Sequence, residues 1–113
     1  MSFERYHAHL YYDESNMEEA QQLAQKAHYL FKVSVGSFHK KPIGPHPSPS
    51  CQLSVSQEVF ADIIPWLMKN RGSVHVFVHA DTGDDYLDHT VHTLWLGSSY
   101  ELDLAMFRKT NKN

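Results

Sequence analysis

Two stretches of helical period, each set between stretches of two-residue alternation, restrict this 113-residue chain to few folds. Tyr6 to Tyr12 alternates, with Ala8, Leu10 and Tyr12 on one face and His7, His9 and Tyr11 on the other, as a half-buried strand does. Ser15 and Glu18 then have the spacing of a capping box. Ala20, Leu23, Ala24, Ala27, Leu30 and Phe31 follow the stripe of an amphipathic helix. A second strand is predicted from Val33 to Phe38. Lys41 to Ser50 carries four prolines and must be a stiff loop.

The pattern then repeats. Cys51 to Ser56 reads as a strand with Leu53 and Val55 inward and Gln52 and Ser54 outward. Gln57 to Arg71 reads as a helix with the stripe Val59, Phe60, Ile63, Ile64 and Leu67. Pro65 is expected to kink or restart it, and Asn70-Arg71-Gly72 to stop it. Val74 to His79 is the fourth strand, with Val74, Val76 and Val78 opposite His75, Phe77 and His79. Ala80 to His89 is acidic and turn-rich, Thr93 to Leu96 is a short extra strand, and Arg108 to Asn113 reads as a frayed tail.

Two helices among four strands in this order match the split βαβ plan: an α+β, ferredoxin-like βαββαβ sandwich with an extra C-terminal strand. At this length the chain is read as one domain, 1–113. In that plan both helices cover one sheet face and leave the other open. The open face collects His7, His9, Tyr11, Gln52, Ser54, His75, Phe77 and His79. First and last core strands are neighbours there, so His7 is expected beside His79.

Histidine is in excess: nine, against seven lysines and three arginines. Protonating all nine would carry the formal charge from −3 to +6, so a pH-dependent surface, a metal site and acid–base chemistry all stand open on composition. A single strand histidine is most simply a solvated side chain. Four on one face are harder to account for that way, and histidines at i and i+2 can share one metal. His28 and His39 read as ordinary surface residues.

Other chemistries lack their motifs. There is no Gly-rich phosphate loop, no Gly-x-Ser-x-Gly and no His-Glu-x-x-His. The aspartates of 81–88 do not have EF-hand spacing. His7 and His9 lack the Thr or Ser two positions on that a two-histidine phosphoesterase needs. The one cysteine, Cys51, sits in a strand and reads as a small core residue. It fits a reducing, cytoplasmic setting. No basic cluster suggests nucleic acid. No apolar run approaches the roughly 20 residues that span a bilayer, and the N-terminus lacks a signal-peptide core.

Four pieces stand in order. They are Tyr6-His7-Ala8-His9-Leu10-Tyr11-Tyr12, then Gly44-Pro45-His46-Pro47, and then Pro65-Trp66-Leu67-Met68-Lys69-Asn70-Arg71-Gly72. The last runs from Val78-His79 through Thr82-Gly83-Asp84-Asp85 and Asp88-His89-Thr90 to His92 and Trp95-Leu96-Gly97. Together they resemble the DOPA 4,5-dioxygenase family. The resemblance implies an extradiol-type, ring-cleaving dioxygenase acting on a small catechol such as L-DOPA, with Fe(II) as metal and O₂ as co-substrate. Zn(II) is the metal a purified sample could carry instead. It implies a homodimer whose contact covers the open sheet face. His7, His9 and His79 are the implied metal ligands, with His46, His89 and His92 as acid–base or substrate-orienting groups. Asp84, Asp85 or Asp88 would orient an imidazole from behind, and Arg71 or Lys69 would take a substrate carboxylate or simply end a helix. The alternative is a non-catalytic metal- or small-molecule-binding dimer on the same scaffold.

Overall fold

The alternation that begins near Tyr6 produces the central strand of the sheet. A computed structural model of the chain describes residues 3–110, with side chains through Phe107. Strand β1 (Arg5–Tyr11) lies between β3 (Ser50–Ser56) and β4 (His75–Ala80). The edges are β2 (Ser34–Val35), beside β3, and β5 (Thr93–Leu96), beside β4. Every pairing is antiparallel, so this is an α+β fold on a five-stranded antiparallel sheet.

Helices α1 (Met17–Phe31) and α2 (Gln57–Asn70) close one face. There Ala8, Leu10, Leu53, Val55, Val74, Val76 and Val78 form one core with Ala20, Leu23, Ala24, Ala27, Ile63 and Leu67. Both strand faces and both helical stripes thus follow the side-chain periodicity. Leu30 is the exception, 52% exposed one turn beyond Ala27.

The local signals differ in places. The expected capping box does not form. Ser15 gives its N–H and hydroxyl to the Asp13 carboxylate, Asn16 is the N-cap without a side-chain cap bond, and its amide reaches Ser73 instead. Residues 13–16 make their own side-chain turn, a local alternative to capping. Strand β2 is two residues long rather than reaching Phe38. Beyond it the chain stays beside β3 through two further bonds, Gly36 N–H to the Gln52 carbonyl and His39 N–H to the Ser50 carbonyl. Pro65 does not restart α2. It and Ala61, whose carbonyl it leaves without an N–H partner, are on the exposed side, where water can satisfy that acceptor. The stop at Arg71-Gly72 is as expected, with Gly72 at φ +58°.

The expected frayed tail also changes. A helix α4 (Ala105–Thr110) spans its first part, anchored by Phe107, which is buried just before the segment read as a tail. Residues 111–113 lie outside the described ones. Among the described residues, no helix is long and apolar enough to cross a membrane.

The second sheet face is not uniformly open. Its β1–β4 half is buried by the chain itself: Phe77, Tyr11, His79 and His9 are all at most 5% exposed. The proline-rich loop, Trp95, Tyr100, α4 and a short helix α3 (Asp85–Asp88) lie over them. The β3 half keeps Gln52 half-buried and Ser54 exposed. A second copy is therefore not required to bury the histidines.

Candidate metal centre

The histidine cluster is a product of strand register. His7 on β1 pairs directly with His79 on β4, and His9 pairs with Phe77, so three imidazoles on one face converge without any loop. One nitrogen from each of His7, His9 and His79 lies within 4.8 Å of the others, the one metal-capable group of three found among the described residues. The Nε2 atoms of His9 and His79 are 3.0 Å apart. Two donors on one metal are separated by about 3 Å when each bond is about 2.1 Å and the angle near 90°. The donor set therefore fits a divalent ion.

The proton positions agree with this. His79 Nδ1–H donates to the Ala80 carbonyl at 2.7 Å. A carbonyl can only accept, so the neutral ring turns an unprotonated Nε2 toward His9. A backbone partner behind a histidine is what fixes tautomer and ring orientation at metal sites. Burial holds His79 and His9 neutral: the His79 pKa falls to about 4, and that of His9 is pushed well below its ordinary value, with neighbouring imidazoles adding to the effect. His7 is also lowered, chiefly by burial and against the pull of the Asp81 carboxylate. That carboxylate lies 3.5 Å from His7 Nε2.

Two more imidazoles flank the group. The loop at Gly44–Pro47 brings the His46 ring to 4.1 Å from that of His9. His46 Nδ1 is 2.7 Å from the hydroxyl of Tyr11, a residue almost fully buried. Burial raises the Tyr11 pKa, so the phenol stays protonated and its bond to Nδ1 fixes the orientation of the neutral His46 ring. Pro45 is tied down as well, its carbonyl accepting from Asp103 N–H. On the other side His89 stands 4.1 Å from the His79 ring and stacks on Phe107. Its Nδ1–H donates to the Asp85 carbonyl at 2.7 Å, which leaves a lone pair on Nε2.

The remaining sequence-derived residues go elsewhere. His92 does not join the cluster: its ring packs 4.8 Å from Phe3. It lines a cleft of about 360 Å³ among Tyr6, Phe60 and Leu94 on the helix side of the sheet. His75 is on the right face but at the far end of β4, where Nδ1 accepts from Ser98 N–H. Gly97, at φ +88°, is needed there, because a Cβ would run into that nitrogen and into Arg71 Nη1. Arg71 itself donates to the Gly72 and Val74 carbonyls and serves the end of α2, and Lys69 is exposed. Asp84 caps α3 through Leu87 N–H. Asp88 is buried and accepts from Thr82 N–H and hydroxyl. Asp85 reaches His89 by its carbonyl only.

The carboxylate that touches a cluster imidazole is instead Asp81. Alternation could have found it, since Asp81 follows His79 by two. Tyr11 is on the face expected of it, with a role that its position in the pattern does not signal.

The neutral, buried imidazoles set the pH dependence of the metal-free protein. His46 and His79 bind protons only near pH 4 when folded, against about 6.5 when unfolded. Between those values the unfolded chain holds more protons, so stability falls as pH falls through this window. A pKa lowered by one costs about 1.4 kcal/mol once the group must be protonated, and the total loss is on the order of several kcal/mol. The urea midpoint of metal-free protein should drop clearly between pH 7 and pH 5. A midpoint that holds or rises would contradict burial of neutral rings.

The model of the Dopa 4,5-dioxygenase family matches residues 6–106. The chain is 31% identical over 109 residues to the DOPA 4,5-dioxygenase of Amanita muscaria, covering 88% of this chain and 48% of that protein. It is 31% identical over 113 residues to an uncharacterized 21.2 kDa protein of Botryotinia fuckeliana, covering 89% of this chain and 62% of that one. The chain thus spans between about half and three-fifths of the length of these curated relatives. A crystal structure from Nostoc punctiforme, described as a candidate dioxygenase, superposes with a TM-score of 0.92 at 35% identity, covering 96% of this chain and 95% of that one. The chain belongs to the Dopa 4,5-dioxygenase family.

Proposed function

We propose that the protein is a ring-cleaving, extradiol-type dioxygenase that opens a catechol such as L-DOPA, with Fe(II) held by His7, His9 and His79. The observation that carries this is the convergence of three neutral imidazole donors within 4.8 Å, flanked by the rings of His46 and His89. A divalent iron held by these three imidazoles would supply open coordination positions at which a catechol and O₂ could bind. Overall, both atoms of O₂ enter the product and the ring carbon–carbon bond beside one hydroxylated carbon breaks. No outside reductant is consumed.

The chain's own groups handle the protons. Neutral His89 and His46 each accept a hydroxyl proton of the catechol and, as the imidazoliums so formed, return it to the product, so that no proton is gained or lost over the cycle. Phe77 and Trp95, stacked at 4.4 Å, keep water from the buried side of the site. The substrate lies on the β3 side, over Ser54 and Gln52. A ferredoxin-like sandwich, a homodimer whose second copy walls that side, and a cytoplasmic setting belong to the same proposal.

The test is direct. Load the protein with Fe(II) under anaerobic conditions, add L-DOPA, admit O₂, and follow gas uptake with a coloured ring-opened product. One O₂ consumed per product is expected. Absence of turnover on several catechols in protein shown to hold iron would remove the activity. The chain's coverage of only 48% of the Amanita dioxygenase keeps a second reading in play, a metal- or small-molecule-binding dimer without catalysis. It would show as tightly held Zn(II) with every coordination position filled by protein.

A further inference from the structure

Arg5, His7, His9 and Tyr11 alternate along β1 and share one sheet face. Arg5 is therefore one strand repeat, about 7 Å, from the nearest proposed ligand. Its Nε lies 3.5 Å from Asp81 Oδ2, and the same oxygen lies 3.5 Å from His7 Nε2. A cleft of about 290 Å³ opens at this point, lined by Arg5, His7, Ser54, Ser56 and Asp81. A second cleft of about 230 Å³ meets the other end of the cluster at His9, His46 and Gln52. Between the two, β3 offers Ser54 opposite His7 and Gln52 opposite His9. The space beside the imidazoles thus has an acid–base end at His46 and a charged end at Arg5 and Asp81.

The charged end is built for an incoming group more than for stability. The pair is a single contact at 3.5 Å with side chains 68% and 34% exposed, a kind of pair that contributes little to folding. It sets a guanidinium donor fork and a carboxylate acceptor side by side. The group complementary to both is a carboxylate and an ammonium on one carbon. Among the described residues lining these two clefts, Arg5 is the sole lysine or arginine.

We propose that Arg5 and Asp81 form a head-group subsite that takes the carboxylate and ammonium of a catechol bearing an α-amino-acid side chain. This rests on the ring-cleavage function above. With the ring oxygens at the imidazole cluster and His46 beside them, the short side chain points back along β1. Arg5 receives the carboxylate in its fork, and Asp81 receives the ammonium. Arg5 is then a specificity-determining residue.

The test compares wild type with Arg5→Gln on L-DOPA, 3-(3,4-dihydroxyphenyl)propionate, dopamine and 4-methylcatechol. In wild type, kcat/KM should favour L-DOPA over 4-methylcatechol by about tenfold or more, as expected for one charge-assisted pair. In Arg5→Gln that ratio should collapse through KM, the propionate should lose equally, and dopamine should keep its ratio. Arg5→Lys should recover part of the loss. Anaerobic titration of the iron-loaded proteins with L-DOPA, read by tryptophan fluorescence, should show the same weakening without turnover.

An L-DOPA ratio and affinity unchanged within twofold in Arg5→Gln would overturn the subsite, and so would a wild type indifferent to side-chain charge. If no catechol turns over, the ring-cleavage function fails while the titration still decides the role of Arg5.

Discussion

His79→Ala should abolish stoichiometric metal binding and, with it, turnover. Disturbing a mere outer partner of a ligand costs about 10- to 100-fold in affinity or activity, and loss of a ligand should exceed that range. The reason lies in how the cluster is built. His7 and His9 come from one strand, and only the antiparallel register of β1 with β4 brings in the third donor. His79 is 4% exposed and oriented by the Ala80 carbonyl, so its donor atom is fixed toward the other two. His75→Ala is the control: same strand, same face, same residue type, but bonded to Ser98 away from the cluster. It should keep full metal occupancy. Iron retained at one equivalent in His79→Ala, or lost in His75→Ala, would contradict the assignment. Circular dichroism of both metal-free variants separates ligand loss from unfolding.

His46→Gln should leave the metal in place and lower kcat by about 10²- to 10⁴-fold, the usual contribution of a positioned acid or base. The amide introduced by this substitution would still offer an acceptor to the Tyr11 hydroxyl, so the buried phenol would not be left without a partner. Tyr11→Phe should cost less, about tenfold in kcat, because it frees the orientation of the His46 ring without removing it. His92→Ala should stay within about twofold, since its ring packs against Phe3 on the other side of the sheet. Steady-state kinetics on iron-quantified samples checks all three. A full-strength His46→Gln enzyme, or a His92→Ala enzyme as impaired as expected for His46, would reverse the roles.

What is legible in the sequence is what periodicity dictates. Alternation in β1 and β4 places His7, His9 and His79 on one face, and the strand order places His7 beside His79. The core residues Leu10, Leu53, Val76, Ile63 and Leu67 follow from the same rule. The misreadings occur where a residue's position depends on contacts distant in sequence. His89 and His92 are three apart and look equivalent, yet the chain turns between them after α3, sending one toward Phe107 and the other toward Phe3. His46 reaches the site because Tyr11 and Asp103 hold its loop, and no local pattern encodes that. The face expected to need a second copy is covered on its β4 side by Trp95, Tyr100 and Phe107. These come from β5 and the segment after it, whose sequence carries little periodicity. Asp81 is within reach of the alternation rule, but its turn-forming neighbours disguise it.

The most direct test of the central claim is the ligand set of the iron-loaded protein, by crystallography or X-ray absorption under anaerobic conditions. Three imidazole nitrogens, from His7, His9 and His79, are expected at about 2.1 Å. The remaining positions should be held by water and vacated when a catechol is added. Iron bound at another set of residues, or a sphere closed entirely by protein donors that no catechol can enter, would contradict it.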